Sequence, residues 1–198
     1  MSKFKIENLD AIGRAHDRIA AMRKDGDKVI PRAIGTLKRK LPTWMKRDIA
    51  TQYALPVNKI GKRLRVTSDE SSLTLTGLGR MQRLTNFPCR QNSRGLAVQI
   101  EKGKPVQIPH GFLRVPTGSA AASGMQAFVR QAVEDLPEKV YSIAEVAKDK
   151  HGYPVSMLGG PSVGMMMVDG DRFDRAADYG RELFAQEIDR LVEAGHGQ

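Results

Sequence analysis

Gly160-Pro-Ser-Val-Gly164 has the G-x-S-x-G spacing of a hydrolase nucleophile elbow, in which a strained strand-to-helix turn lifts a serine toward substrate. A short strand, Val155 to Leu158, is expected just before it. The rest of that chemistry is missing. An elbow needs a helix directly after the serine, then an acid and a histidine carried on later strands. Here Met165, Met166 and Met167 follow Gly164, and the one histidine downstream is His196, in a stretch too short for further strands. A bare pattern without its context predicts only a turn, so an esterase-like enzyme is the least favoured reading.

The other catalytic inventories are thinner still. His16, His110, His151 and His196 are scattered, without the H-x-x-x-H or H-E-x-x-H spacing that sets two imidazoles on one helix face. The single Cys89 leaves no partner for an internal disulfide and no cysteine set for zinc, and reads as a half-buried thiol beside Pro88. No G-x-x-x-x-G-K-S/T loop is present, and the glycine pair of Gly77-Leu-Gly-Arg80 reads as a turn. Asp169 and Asp171 sit before a helical pattern, where carboxylates serve as caps more often than as ligands. No cofactor, metal, small-molecule substrate or enzymatic activity is expected.

Charge is the stronger signal, through its placement. Residues 1–66 hold 17 Lys/Arg against 6 Asp/Glu, and residues 67–198 hold 15 against 16, so the net charge of +10 belongs to the first third. Such asymmetry points to one region meeting a polyanion or an acidic protein surface. The candidates are Lys38, Arg39, Lys40, Lys46 and Arg47 on a long helix, and Lys62, Arg63 and Arg65 after it. One reading is a solvated face. The other is contact with a nucleic-acid backbone, where cations gain from counterion release without reading bases. Few aromatics interleave with these charges, which disfavours single-strand stacking.

These residues need elements to position them. Leu9, Ile12, Ala15, Ile19 and Met22 recur at helical spacing over residues 8–23, and Lys24-Asp-Gly-Asp27 breaks the pattern. A longer helix is expected from Pro31, in its first turn, to Tyr53, with Ile34, Leu37, Leu41, Met45 and Ile49 as its stripe and a kink or break at Pro42. Residues 55–60 read as a short helical turn ended by Gly61, and Lys62–Val66 as a first strand. Basic helices in this order also admit a helix-turn-helix reading.

From Val66 the period changes to two. Leu73–Thr76 alternates, residues 80–87 do so weakly, and Ala97–Glu101 with Pro105–Ile108 flank Lys102-Gly-Lys104 as a hairpin. Phe112–Val115, Met125–Arg130 and Val155–Leu158 complete the strands, with residues 116–124 and 134–151 as loops and a helical turn at 142–147. Gly159 and Gly160 are expected to supply positive φ at a turn closed by Pro161, ahead of an exposed apolar run. Asp171 is a plausible N-cap for a closing helix, whose stripe of Phe173, Ala177, Gly180, Phe184, Ile188 and Leu191 ends at Gly195. The fold expected is α+β: N-terminal helices, a mostly antiparallel sheet or sandwich, and a C-terminal amphipathic helix. Its sections are a basic helical region over 1–66, a β-rich region over 67–168 and the helix over 169–198, in one structural unit. Nowhere do the roughly 18 consecutive apolar residues of a membrane span occur, and the N-terminus lacks the apolar core of a signal peptide.

Laid out this way, the chain resembles the prophage minor tail protein Z family, the tail-completion proteins of long-tailed phages. The resemblance rests on Pro31 leading the long basic helix, the basic entry into strands at Lys62–Arg65, and Phe128-Val-Arg130 before a variable segment. Its most specific part is Tyr153-Pro-Val-Ser-Met-Leu-Gly-Gly-Pro-Ser-Val163, which resembles that family's aromatic-or-Leu, Pro, Ile/Val, x, x, Leu, x, Gly-Pro-Ser element. Gly159 stands where a bulkier residue is usual, Pro42 interrupts the long helix, and residues 134–149 are expanded.

The resemblance implies a virion structural protein, assembled in the host cytoplasm. It would sit at the head-proximal end of the tail, joining tail to neck as a ring around the DNA channel. The implied partners are other copies of the chain, neighbouring tail and neck proteins, and the packaged double-stranded DNA. Gly160, Pro161, Ser162, Val163, Met165, Met166 and Met167 become the candidate subunit or partner interface. The alternative is a small basic DNA-binding protein with a β dimerisation domain.

Overall fold

The computed structural model describes residues 2–6, 26–69, 72–115, 124–130, 136–148 and 154–196. Within them the chain is α+β, and one hydrophobic cluster runs from Val29 to Val192 through all three sections of the sequence. The first helical pattern, residues 8–23, and most of the loop over 116–124 lie outside the described residues.

Helix α1 spans Gly26–Gln52 and passes unbroken through both prolines. Pro31 is therefore inside the helix, and the break expected at Pro42 does not occur. An internal proline costs roughly 3 kcal/mol. Leu37 and Leu41 before Pro42, and Met45 and Ile49 after it, are all buried in the same core. Each such side chain contributes about 1.5–3 kcal/mol by burial, so keeping the stripe continuous outweighs the proline. Just after it, Thr43 donates its hydroxyl to the Arg39 carbonyl at 3.1 Å. The short helix α2, Val57–Gly61, follows where expected.

The strands form three antiparallel sheets. β1 (Ser2–Ile6), β3 (Leu73–Gly77) and β2 (Leu64–Ser68) make the first, in the order β1-β3-β2. Leu73, Leu75 and Gly77 face inward with the two-residue period of a half-buried strand. β5 (Cys89–Asn92), β6 (Gly95–Glu101) and β7 (Lys104–Ile108) make the second, and the β6–β7 hairpin turns at Gly103 with φ of 77°. The third contains β4 (Gln82–Arg83), β8 (Gly111–Arg114), β9 (Gln126–Arg130), β10 (Tyr141–Lys148) and β11 (Pro154–Gly160), running β10-β11-β9-β8 with β4 also on β11.

Two expectations fail here. Residues 142–147 are strand, not a helical turn, because β10 pairs along β11 from Tyr141↔Gly159 to Lys148↔Pro154, with two irregularities. Of residues 80–87 only Gln82–Arg83 is strand, and Leu84–Asn86 turns as a 3-10 helix.

Helix α3, Val163–Val168, follows β11 directly, and α4, Arg172–His196, closes the described chain. The Asp171 carbonyl accepts the Arg175 N–H at 3.1 Å, as an N-cap position requires, while Gly195 lies within the helix. α4 buries Ala176, Leu183, Phe184, Ile188 and Val192, and Tyr179 stacks on Trp44 of α1 with ring centroids 5.3 Å apart.

A cationic cavity as the candidate functional site

The Gly-Gly-Pro-Ser segment has a different job from either chemistry or a flexible turn. Gly159 and Gly160 end β11, and neither has positive φ. Glycine is needed for close approach. A Cβ on Gly160 would lie 2.6 Å from the Phe87 ring, and one on Gly159 would lie 2.5 Å from Ile143 and 2.9 Å from the Gln82 carbonyl oxygen. The pair lets β4 lie against β11 in the register Gly159↔Arg83 and Gly160↔Gln82.

A helix does follow Ser162, so this part of the elbow geometry is present after all. The serine is nonetheless 1% exposed, and its Oγ accepts the Met165 N–H at 3.1 Å as the N-cap of α3. A nucleophile must reach substrate; this hydroxyl is buried and holds a helix end. The proposed interface is likewise mostly interior. Gly160, Pro161, Ser162, Val163, Met166 and Met167 are buried within the chain's own core, and Met165 alone of the seven reaches the surface. The apolar run is amphipathic at helical spacing, which is why Met166 and Met167 turn inward together.

Two polar regions stand out. The first is an ionic cluster where the end of α1 meets the turn between α3 and α4. Arg172, 2% exposed, donates from Nε to Asp48 at 2.7 Å, from Nη2 to Gln52 at 2.7 Å, and to the carbonyls of Met166 and Asp169. Arg175 adds two bonds to Asp48, at 2.7 and 3.0 Å. Asp169 ends α3 as its C-cap residue, and its carboxylate accepts from the Tyr53 hydroxyl at 2.7 Å, Gln52 at 2.8 Å and Lys139 at 3.3 Å, so that side chain links elements instead of capping the helix that follows. Lys139 also meets Glu101, whose carboxyl is held down to about 2 by hydrogen bonds from Lys139, Gln52 and Lys104. Burial and the neighbouring Asp169 push the Tyr53 phenol up. Each charge here has an opposite partner. None of Lys139, Arg172, Asp48 or Glu101 was legible as a site residue, because they converge only in three dimensions.

The second region is a cavity of about 470 Å³ between α2, β4 and the third sheet. Lys59, Lys62, Arg63, Arg80 and Arg83 line it, and no acidic residue does so among the described residues. Gln82 also lines it and is 3% exposed. Its Oε1 accepts from Asn86 at 3.3 Å, but its Nε2 has no hydrogen-bond partner among the described residues. A buried orphan donor of this kind costs about 1–3 kcal/mol.

The eight basic residues predicted from the sequence are divided by the fold. Lys62 and Arg63 line the cavity. Lys38, Arg39, Lys40 and Arg47 are exposed on α1, and Arg65 is exposed on β2 in another sheet. Lys46 is half-buried, its stem lying where a Cβ on Gly61 would meet it at 3.0 Å. The structure brings Arg80 and Arg83 to Lys62 and Arg63 instead of the α1 cations. The available signal was the pair of arginines three residues apart around Gln82. Cys89 is half-buried, and burial raises its pKa, which keeps the thiol protonated and unreactive. His110 sits in a turn with φ of 57°. Among the described residues no group of three or more His, Cys, Asp or Glu could hold a metal, and no helix is long and apolar enough to cross a membrane.

No protein-family model matches the chain, and no curated protein matches it.

Proposed function

We propose that the chain is a structural protein of a long-tailed phage particle, a tail-completion protein that joins tail to neck as a ring of copies around the DNA channel. The observation that carries this reading is the element Tyr153–Val163, which resembles the most specific stretch of the minor tail protein Z family. Its placement supports an architectural purpose. β11 is paired with β10, β9 and β4, and its exit caps α3. A closed ring needs heterologous contacts, one patch of each subunit meeting a different patch of the next. With most of the methionine run interior, those contacts fall to other surfaces, of which Met165 and Val168, 36% and 45% exposed, are a small apolar part.

Mass spectrometry and electron microscopy of purified particles test the proposal. Copies of the chain at the head-proximal tail end are the expected result, and particles lacking it would overturn the assignment. A second reading, a small DNA-binding protein that dimerises through its β region, is favoured by the one-sided cations of the cavity. Filter binding across salt concentrations tests it, since each phosphate contact adds roughly 0.9 to the slope of log affinity against log salt.

A further inference from the structure

We propose that the cavity over Gln82 binds the phosphate of a nucleotide, either free or at the end of a nucleic-acid strand. This inference is independent of the particle assignment, since it needs only the cavity. Three observations converge. Lys59, Lys62, Arg63, Arg80 and Arg83 surround one concavity with no acidic residue among its described lining, an arrangement suited to a multiply charged anion. Gln82, one of the lining residues, keeps a buried side-chain donor without a partner among the described residues, although the residue is 3% exposed and its backbone is fixed against β11. Buried donors are almost always satisfied, so one left open beside a cationic hollow is explained by an acceptor that arrives with the ligand.

The size and the remaining lining favour more than a bare phosphate. A volume of about 470 Å³ falls in the range of organic-ligand sites. Asn86 and Gln126 contribute amides, and Met81 and Met157 contribute thioethers, so polar edges and an apolar face lie beside the cations. A nucleobase presents the same two kinds of surface. The phosphate would take Arg63 and Arg80 and, once its side chain turns toward the ligand, the Gln82 Nε2, leaving the base to the amides and thioethers.

Calorimetric titration of the full chain tests the site, using inorganic phosphate, deoxyadenosine monophosphate, and a short single-stranded oligodeoxynucleotide with or without a 5′-phosphate. The monophosphate is expected to bind more tightly than inorganic phosphate. Binding of the phosphorylated strand without the monophosphate would assign the ligand to strand ends, and binding of the monophosphate to a free nucleotide. Arg80→Ala, at an exposed position, should weaken binding at least about tenfold, as loss of a charge-assisted hydrogen bond does. Gln82→Met should weaken it similarly while melting at or above the parent's temperature, a combination that damage to the fold would not give. Absence of binding by every phosphate-bearing probe overturns the proposal. So does parental affinity in both variants.

Discussion

Arg172 and Gln82 are almost equally buried, at 2% and 3% exposed, yet their surroundings are completed to different degrees. Around Arg172 the carboxylates of Asp48, Glu101 and Asp169 are met by Arg175, Lys139 and Arg172 itself, with Gln52 and Tyr53 between them. Around Gln82 the charges of the described lining are of one sign, and a buried amide donor has no partner among the described residues. Buried charge is tolerated when paired and costly when not. The first region is thus finished as the chain folds and locks α1 to the α3–α4 turn. The second is left unfinished, which is the usual condition of a place that something else completes.

The comparison breaks most visibly at Arg172. Arg172→Met leaves Asp48 and Gln52 short of donors and frees two carbonyls, so urea denaturation should report a loss of about 3–5 kcal/mol. Next is Gly160→Ala. Its Cβ would lie 2.6 Å from the Phe87 ring, a buried aromatic with little room to move, and should cost about 1–3 kcal/mol by overpacking.

Acid sharpens the contrast from the other side. Glu101 titrates at about 2 when folded against 4.5 ordinarily, so its contribution is complete above pH 4.5 and is lost as pH falls toward 2. Unfolding curves for Glu101→Gln should therefore fall less steeply than the parent's across that window. The smallest effect on stability belongs to the open region. Gln82→Met removes the orphan donor and should leave stability unchanged or raise it by about 1 kcal/mol in the same urea assay.

The sequence was most legible where one face repeats. The stripe from Ile34 to Ile49 and the amphipathic pattern of α4 announce helices without help from distant residues, and Lys102-Gly-Lys104 announces a hairpin. Segments decided by partners far along the chain were not legible. Ser142–Ala147 carries alanine and glutamate, which suit a helix, and becomes strand because β11 offers an edge. β1 went unread because its partner is β3, some seventy residues on, although Phe4 and Ile6 alternate with Lys3 and Lys5. Pro31 lies further inside α1 than the first turn expected for it, and a core on both sides of Pro42 keeps the helix unbroken there.

The site followed the same division. Lys62 and Arg63 stood in a visible basic run, whereas Arg80 and Arg83 joined them through a fold that no local pattern encodes. The glycine pair was visible, but its purpose was mistaken. Close approach to β4 and Phe87, not positive φ, is what excludes a side chain there.

Thermal unfolding of the parent and of Gln82→Met, each with and without saturating deoxyadenosine monophosphate or 5′-phosphorylated oligodeoxynucleotide, tests most directly whether the second region is completed by a ligand. Binding to the folded state alone adds about 2.7 kcal/mol at a hundred times Kd, enough to move a melting curve clearly. The parent should melt higher with at least one of these ligands, and the variant, binding about tenfold more weakly, should gain about half that shift or less. Equal shifts in the two proteins, or none in either, would contradict the account.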